Sequence, residues 1–144
     1  MNYTSEDMER FNFLSNEIEK AYHETALKFG LSDSAMLVLY AACNGKGSCF
    51  ISEITNLSGT SKQTINSALR KLEKENVIYL KAHSSKKKEI CLTESGKVLA
   101  ENTVAKLINI ENEIFGSWSD DERQQYIWLT QRYLTEFKNK IKTL

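Results

Sequence analysis

The sequence predicts an α+β chain that is mainly α-helical and carries one small antiparallel β hairpin. Apolar residues recur at helical spacing along most of its 144 residues. Within residues 60–92, a helix with a polar first half and an apolar rear face leads directly into two short runs rich in β-forming residues. The hairpin tip between those runs is almost entirely Ser and Lys. A helix joined to a basic hairpin is the second half of a winged helix-turn-helix, and long helices precede and follow it here.

Length and composition are those of one globular domain, 1–144. The chain contains 41% apolar and 26% charged residues, which is ordinary for a globular protein. Because it has no run of about 18 apolar residues, no membrane association is predicted. The N-terminal segment is acidic and polar, unlike a secretory signal peptide, so the sequence predicts a cytoplasmic protein.

Charge is distributed unevenly although the net charge is zero. Residues 1–50 carry four Lys/Arg against seven Asp/Glu, residues 51–91 carry eight against four, and residues 92–144 carry seven against eight. The excess positive charge therefore lies in the segment that contains the predicted helix and hairpin. A basic region on an otherwise acidic chain is typical of a nucleic-acid-binding surface.

Two helices are predicted before the basic region. The first spans 4–29, and Thr4 is its expected N-cap. Ser32 is expected to cap the second, whose run 35–43 is apolar on nearly every side and is therefore expected to be buried. Residues 48–51 are expected to form a short strand.

A helix-turn-helix is predicted next. A short helix over 52–57 and a longer one over 61–75 are separated by a tight turn. Thr60 or Ser61 is expected to cap the longer helix, and Asn76, which tolerates the left-handed conformation, is expected to end it. Apolar residues on the two helices can meet, which would fix the angle between them.

The remaining residues predict a hairpin and two further helices. Strands are expected over 77–81 and 89–92, with 49–51 as a third strand, because two strands alone are marginally stable in water. A single long helix is predicted over 93–115. A final helix begins after a capping box at Ser119.

The long helices at both ends predict a second subunit. Segments 1–30 and 93–144 carry more apolar surface than the helix-hairpin lobe, 31–92, needs to cover. Long apolar helical faces left in water are interaction sites, and two-fold homodimers are the commonest soluble oligomers. We therefore expect 1–30 and 93–144 to be dimerisation helices and 31–92 to be the DNA-binding lobe. Packing of these helices within one chain is the alternative.

Three segments carry motifs that occur in a fixed order. Residues 52–77 read SEITNLSGTSKQTINSALRKLEKENV, with a Ser-Lys-x-Thr helix start and a Leu-Glu-Lys close; residues 92–96 read LTESG, and residues 118–123 read WSDDER. The ordered set resembles the MarR family of bacterial transcriptional regulators. The resemblance implies repression that is relieved when a small-molecule effector binds where the dimerisation helices meet the DNA-binding lobe.

Two positions depart from the family pattern. Asn76 stands where the family usually has Gly, which is a mild change. The wing of the family usually carries Asp-x-Arg, and the corresponding residues 84–86 read Ser-Ser-Lys. Since Lys lacks the planar multi-donor head of Arg, we expect the wing lysines to share phosphate neutralisation in a looser arrangement.

The candidate DNA-contacting residues fall into two groups, and a homodimer would present each group once per half-site of a pseudo-palindromic, double-stranded operator. On the longer helix, the residues expected to contact base edges are Gln63, Asn66, Ser67 and Arg70. Ser61 and Thr64 are expected to contact phosphates, and Lys62 is the remaining polar candidate. On the wing, the candidates are Ser84, Lys86, Lys87 and Lys88.

Other classes of function are less favoured by the sequence. It contains no zinc-binding His-Glu-x-x-His, no Gly-rich phosphate loop and no nucleophile elbow, so no enzymatic activity, metal or cofactor is predicted. Two alternatives stay open. One is a thiol-based redox sensor that uses Cys43 or Cys49. The other is a winged-helix module that binds a protein without specific DNA binding.

Overall fold

The computed structural model describes residues 1–84 and 87–144, and these fold as mainly helical elements with one small antiparallel sheet. The predicted fold class is confirmed. In chain order the elements are α1 (Glu6–Lys28), α2 (Asp33–Asn44), β1 (Ser48–Phe50), α3 (Ile51–Ser58), α4 (Lys62–Lys74), β2 (Ile78–Ala82), β3 (Lys88–Leu92), α5 (Glu94–Asn102), α6 (Val104–Ser117) and α7 (Asp120–Ile141). The chain divides into two compact units, Met1–Lys106 and Leu107–Leu144.

The first unit is built around α2. Val38 and Leu39 of this helix are completely buried, as the apolar run in the sequence predicted. The other large side chains buried with them come from both the helix-turn-helix and the sheet: Ile54, Ile65, Ile78, Ile90 and Val104. One continuous core therefore holds α3, α4 and the wing strands together.

Local signals in the sequence set the helix-turn-helix. Gly59 follows α3 with φ +65°, a left-handed conformation that glycine adopts at no steric cost. Ser61 is the N-cap of α4, since its Oγ accepts a hydrogen bond from the Thr64 amide at 3.2 Å. Asn76 has φ +61°, so the predicted left-handed residue after the helix is confirmed.

The sheet has three strands in the order β1-β3-β2, all antiparallel, and the predicted third strand is confirmed. Ile51, which was expected to belong to that strand, is instead the first residue of α3. The register pairs Cys49 with Ile90 and Leu80 with Ile90, and these side chains point to the core face. Phe50 and Lys81 flank Glu89 on the opposite, outer face.

Two expectations about helix boundaries are wrong. The N-cap of α1 is Ser5, whose Oγ accepts from the Met8 amide at 3.1 Å, whereas Thr4 donates to Glu9 Oε1 at 3.5 Å. A capping side chain must accept from a free backbone amide about three residues further on, and Ser5 does this where Thr4 does not. The cap of α1 is therefore one residue later than expected. The cap of α2 is Ser32, as predicted.

The second difference is a break at Thr103 in the helix expected over 93–115. Thr103 has φ −128° and ψ −91° and is not helical. Its Oγ1 donates to the Leu99 carbonyl at 2.7 Å, and Asn102 Nδ2 donates to the Val98 carbonyl at 3.0 Å. Side chains that bond nearby carbonyls compete with the helical hydrogen bonds. The apolar period continues across the break, so periodicity could not reveal it.

The second unit contains the joint between α6 and α7. Ser119 and Glu122 form the predicted capping box, in which each side chain accepts a hydrogen bond from the backbone amide of the other residue. Arg123 Nη1 donates to the carbonyls of Phe115 and Trp118, both at 2.6 Å. One guanidinium thus ties two carbonyls at and just after the end of α6 to the first turn of α7.

Among the described residues, no single helix is long and apolar enough to span a membrane. In that part of the chain, only α1 and α2 taken together, with a bend of 87° between them, have the length and apolar composition of a membrane span. Half of the residues of α2 are buried in the core.

Gly96 packs closely against the backbone of Val77. A Cβ at this buried position of α5 would lie 2.0 Å from the Val77 carbonyl oxygen, which accepts a hydrogen bond from the Thr93 amide. We expect Gly96→Ala to lower the free energy of unfolding by more than ~2 kcal/mol, because backbone must move to relieve the overlap. Chemical denaturation measures the change. Gly116→Ala is the matched control, since its Cβ would meet nothing within 4 Å. Equal stability of the two variants would contradict the prediction.

Candidate nucleic-acid interface

The helix α4 separates an apolar face from a polar one. Ile65, Leu69 and Leu72 are buried against the core. At 100° per residue, Gln63, Ser67 and Arg70 lie on the opposite side of the helix. Their side chains are therefore directed away from the core along the first three turns of α4.

The polar residues of α4 differ in accessibility and in partners. Asn66 is half-buried, whereas the remaining predicted positions are exposed: Ser61, Lys62, Gln63, Thr64, Ser67 and Arg70. Arg70 Nη2 donates to Ser67 Oγ at 3.2 Å, a contact that orients the guanidinium along the exposed face. Ser61 Oγ lies 2.9 Å from Thr64 Oγ1 in addition to capping the helix.

The wing tip is held by backbone and side-chain contacts. The His83 amide donates to the Lys87 carbonyl at 2.9 Å, and the Lys87 amide donates to Ser84 Oγ at 3.1 Å. Ser84, Lys87 and Lys88 are exposed. Lys86, also expected to contact DNA, lies outside the described residues.

An open cleft brings the wing and the helix-turn-helix together. It has a volume of about 720 Å³, and its walls contain Lys62 of α4 together with Lys87 and Lys88 of the wing. Its remaining lining residues come from β1, α3 and the turn after it: Phe50, Ile51, Ser52, Thr55, Gly59 and Thr60. Two of the sequence-predicted groups therefore meet at one surface, and their three lysines give it positive charge.

Sequence reasoning did not identify His83, Glu89, Ser48 or Phe50, which lie together at the base of the wing. His83 Nε2 is 3.3 Å from Glu89 Oε1, and Ser48 Oγ donates to Glu89 Oε2 at 3.2 Å. The hydrogen bond from His83 is the main cause that lowers the pKa of the Glu89 carboxyl. No sequence motif marks this group, because its members are brought together by strand register.

A second cleft of about 670 Å³ lies between α1, α2 and the turn before α4. Tyr22, His23 and Met36 are among its lining residues. His23 Nδ1 lies 2.9 Å from both carboxylate oxygens of Asp33, which joins α1 to the start of α2. The cleft has both an apolar and an ionisable wall, a combination suited to a small polar molecule.

The cysteines lie in surroundings that disfavour the reactive thiolate. Burial raises the pKa of the Cys49 thiol to about 12, and burial together with Glu101 raises the pKa of Cys43. Cys91 is buried. Since oxidation proceeds through the thiolate, these environments give no support to a redox sensor that uses Cys43 or Cys49. Among the described residues, no group of three or more His, Cys, Asp and Glu is arranged to hold a metal ion.

Comparison with known proteins found both a sequence match and shared folds. A family model described as MarR family matches residues 29–89. A search of curated protein sequences found no significant match. NMB1585, a MarR family regulator from Neisseria meningitidis, is 20% identical with a TM-score of 0.77, and the alignment covers 99% of this chain and 98% of that chain.

Two further solved structures share the fold at similar identity. The S. aureus MepR–DNA complex is 20% identical with a TM-score of 0.66, and the alignment covers 94% of this chain and 99% of that chain. BpsR from Bordetella bronchiseptica, whose DNA binding is regulated by 6-hydroxynicotinic acid, is 19% identical with a TM-score of 0.63. That alignment covers 92% of this chain and 98% of BpsR. The chain thus matches the MarR family model over residues 29–89 and shares its fold with solved MarR family structures.

Proposed function

We propose that the protein is a MarR-family transcriptional regulator and that it acts as a homodimer on a pseudo-palindromic site in double-stranded DNA, with one α4 helix in the major groove of each half-site. The observation that carries the proposal is the exposed polar face of α4 beside the lysines of the wing. An α-helix fits the major groove, where Arg and Gln side chains can distinguish base edges. The fold shared with MepR, whose structure was determined in complex with DNA, supports DNA binding by this chain.

The side chains divide into base-reading and phosphate-binding groups. Gln63, Ser67 and Arg70 point away from the core, so they are best placed to reach base edges, and Asn66 reaches them from the edge of the face. Lys62 lies in the basic cleft and suits a phosphate. Residues that bind phosphates, in which we include Ser61 and Thr64, fix the position of the helix without reading sequence.

Selection of bound fragments from genomic DNA tests this function directly. We expect enriched fragments to share an inverted repeat whose half-site centres are about 10 base pairs apart or a multiple of that, because a two-fold dimer presents two equivalent helices. Arg70→Ala, which lacks one predicted base contact, should enrich fragments less selectively. Weak enrichment without a common sequence in the wild type would instead favour a winged-helix module that binds a protein.

Lys87 gives a separate prediction for the wing. Its side chain is exposed at the basic cleft, so we expect Lys87→Ala to weaken binding to operator and random DNA alike. Loss of one phosphate contact should reduce the slope of log affinity against log salt by about 1. Titrations at four salt concentrations measure the slope. Lys138→Ala, a charge-matched change on α7, is the control, and an unchanged slope for Lys87→Ala would remove the wing from the interface.

The homodimer is inferred from apolar side chains that remain exposed on the end helices. On α1 the exposed large residues include Phe11, Leu14 and Ile18, and on α7 they form a stripe at helical spacing: Tyr126, Leu129, Tyr133, Leu134, Phe137 and Ile141. Burying such stripes between two copies would remove them from water. We retain 1–30 and 93–144 as the dimerisation helices and 31–92 as the DNA-binding lobe.

We place the effector in the cleft lined by Tyr22, His23 and Met36. A ligand there would contact α1, which we assign to the dimer contact, and α2, which forms the core under α4. If the ligand favours one spacing of the two α4 helices, it shifts the dimer away from the spacing that DNA requires. BpsR, whose DNA binding is regulated by 6-hydroxynicotinic acid, supports an effector that is a small polar molecule. The repressor role is proposed from the family resemblance alone.

A further inference from the structure

Four side chains, those of Ser48, Phe50, His83 and Glu89, lie together at the base of the wing. In the sheet register, Glu89 of the central strand β3 pairs with Phe50 of β1 on one side and with Lys81 of β2 on the other. Ser48 lies two residues before Phe50 and therefore on the same face. His83 follows the end of β2. These side chains share the outer face of the sheet, opposite the core.

Glu89 contacts residues on both sides of it. Its Oε1 lies 3.3 Å from His83 Nε2, and its Oε2 accepts from Ser48 Oγ at 3.2 Å. Only 20% of the Glu89 side chain is exposed, against 42% for His83, so the carboxylate is shielded more than an ordinary surface ion pair. One carboxylate thus connects β1, β3 and the residue at which the hairpin leaves β2.

A second set of contacts connects this group to the wing lysine. The rings of Phe50 and His83 meet edge to face, with centroids 5.5 Å apart. Lys87 Nζ lies 4.4 Å from the centroid of the Phe50 ring, within cation–π range. The Lys87 carbonyl also accepts from the His83 amide at 2.9 Å. The backbone of Lys87 is therefore tied to His83, which Glu89 contacts, and its ammonium group to Phe50, whose ring the His83 ring contacts.

We propose that Glu89, acting through His83 and Ser48, is a positioning residue that holds Lys87 where the wing meets the DNA backbone. The proposal rests on the DNA-binding function proposed above. Glu89 itself carries the wrong charge to bind phosphate, so its contribution is indirect. It restricts the wing before DNA arrives and thereby lowers the entropy lost when Lys87 engages a phosphate.

Charge and positioning predict opposite signs for a change at Glu89. Removing a carboxylate beside a DNA-binding wing strengthens binding if only electrostatics matters, because the net positive charge of the surface rises. Loss of the positioning contacts weakens binding despite that added charge. The direction of the change therefore separates the two effects.

The experiment compares Glu89→Met with His83→Phe. Met keeps the length of Glu without a strong acceptor, and Phe keeps a ring against Phe50 without the hydrogen bond to Glu89. We expect both variants to bind a DNA duplex selected by the wild type more weakly, by about fivefold for Glu89→Met. The slope of log affinity against log salt should fall by about 1 in both. Glu94→Gln, an equal charge change beyond the opposite end of β3, should leave both quantities unchanged.

Amide hydrogen exchange of the DNA-free protein provides the second readout. The His83 amide, which is bonded to the Lys87 carbonyl, should exchange about tenfold faster in Glu89→Met, since a hydrogen bond to a charged group no longer restrains the tip. Tighter or equal DNA binding by Glu89→Met, or unchanged exchange at His83, would overturn the positioning role. Lack of selective DNA binding by the wild type would overturn the proposed function instead, and the exchange data would still report on the contacts of Glu89.

Discussion

Replacing Arg70 with alanine is expected to reduce discrimination between operator and random DNA by ~1–3 kcal/mol, the range for one good bidentate base contact. Arg70 is exposed on the face of α4 opposite the core, and its contact with Ser67 Oγ at 3.2 Å holds the guanidinium along that face. A guanidinium can donate two hydrogen bonds to the O6 and N7 atoms of guanine, so its loss should cost specificity as well as affinity. Competition titrations with operator and random DNA measure the ratio of the two affinities directly.

Lys74→Ala is the matched control for Arg70→Ala. Lys74 is exposed on the same side of α4 one turn further along, so its loss changes the charge equally without removing a predicted base contact. Asn66→Ala should also lower discrimination by ~1–3 kcal/mol. Because Asn66 is half-buried, the thermal unfolding of the Asn66→Ala variant must be measured as well, to separate a loss of stability from a loss of base contact. Wild-type specificity in both Arg70→Ala and Asn66→Ala would show that α4 is not in the groove.

Phe137→Glu is expected to separate the dimer and to abolish operator binding at concentrations that saturate the wild type. Phe137 lies in the exposed apolar stripe of α7, stacked on Tyr133 with ring centroids 6.0 Å apart. A two-fold interface carries the substitution twice. Losing ~1.5–3 kcal/mol of apolar burial per Phe would weaken dimerisation about 100- to 10,000-fold, before any cost of an unpaired carboxylate is added.

Analytical ultracentrifugation and DNA titration measure the two consequences of Phe137→Glu separately. Asn139→Glu is the control, since it adds the same charge about 200° around α7 from Phe137. Circular dichroism establishes that the helices persist. A wild-type protein that sediments as a monomer, or a Phe137→Glu variant that remains dimeric, would contradict the assignment of α7 to the interface.

The helix-turn-helix could be predicted from sequence because its signals are local. Ser61 caps α4 through an amide three residues away, and Asn76 adopts the left-handed conformation that its side chain tolerates. Ser32 and Ser119 act in the same way at α2 and α7. Such signals depend on neighbours within about one helical turn, so they can be recognised without knowledge of the fold.

The break at Thr103 shows the limit of periodicity. The apolar positions on both sides keep helical spacing, and only the hydrogen bond from Thr103 Oγ1 to the Leu99 carbonyl and the φ of −128° reveal the interruption. Thr is also found within helices, where it can make the same bond. The residue type alone therefore could not predict which outcome occurs.

By itself, the sequence determined the order of helices and strands apart from the break at Thr103, the caps of α2, α4 and α7, and the polar face of α4. Only the tertiary structure decided that Lys87 stacks on Phe50 and that Glu89 joins Ser48 to His83, since Ser48 and Glu89 are 41 positions apart. Those contacts require β1 to pair with β3 in one register, and a shift by one residue would move Glu89 to the core face. That register is selected by burial of Cys49, Ile78 and Ile90 together, which is a property of the whole core.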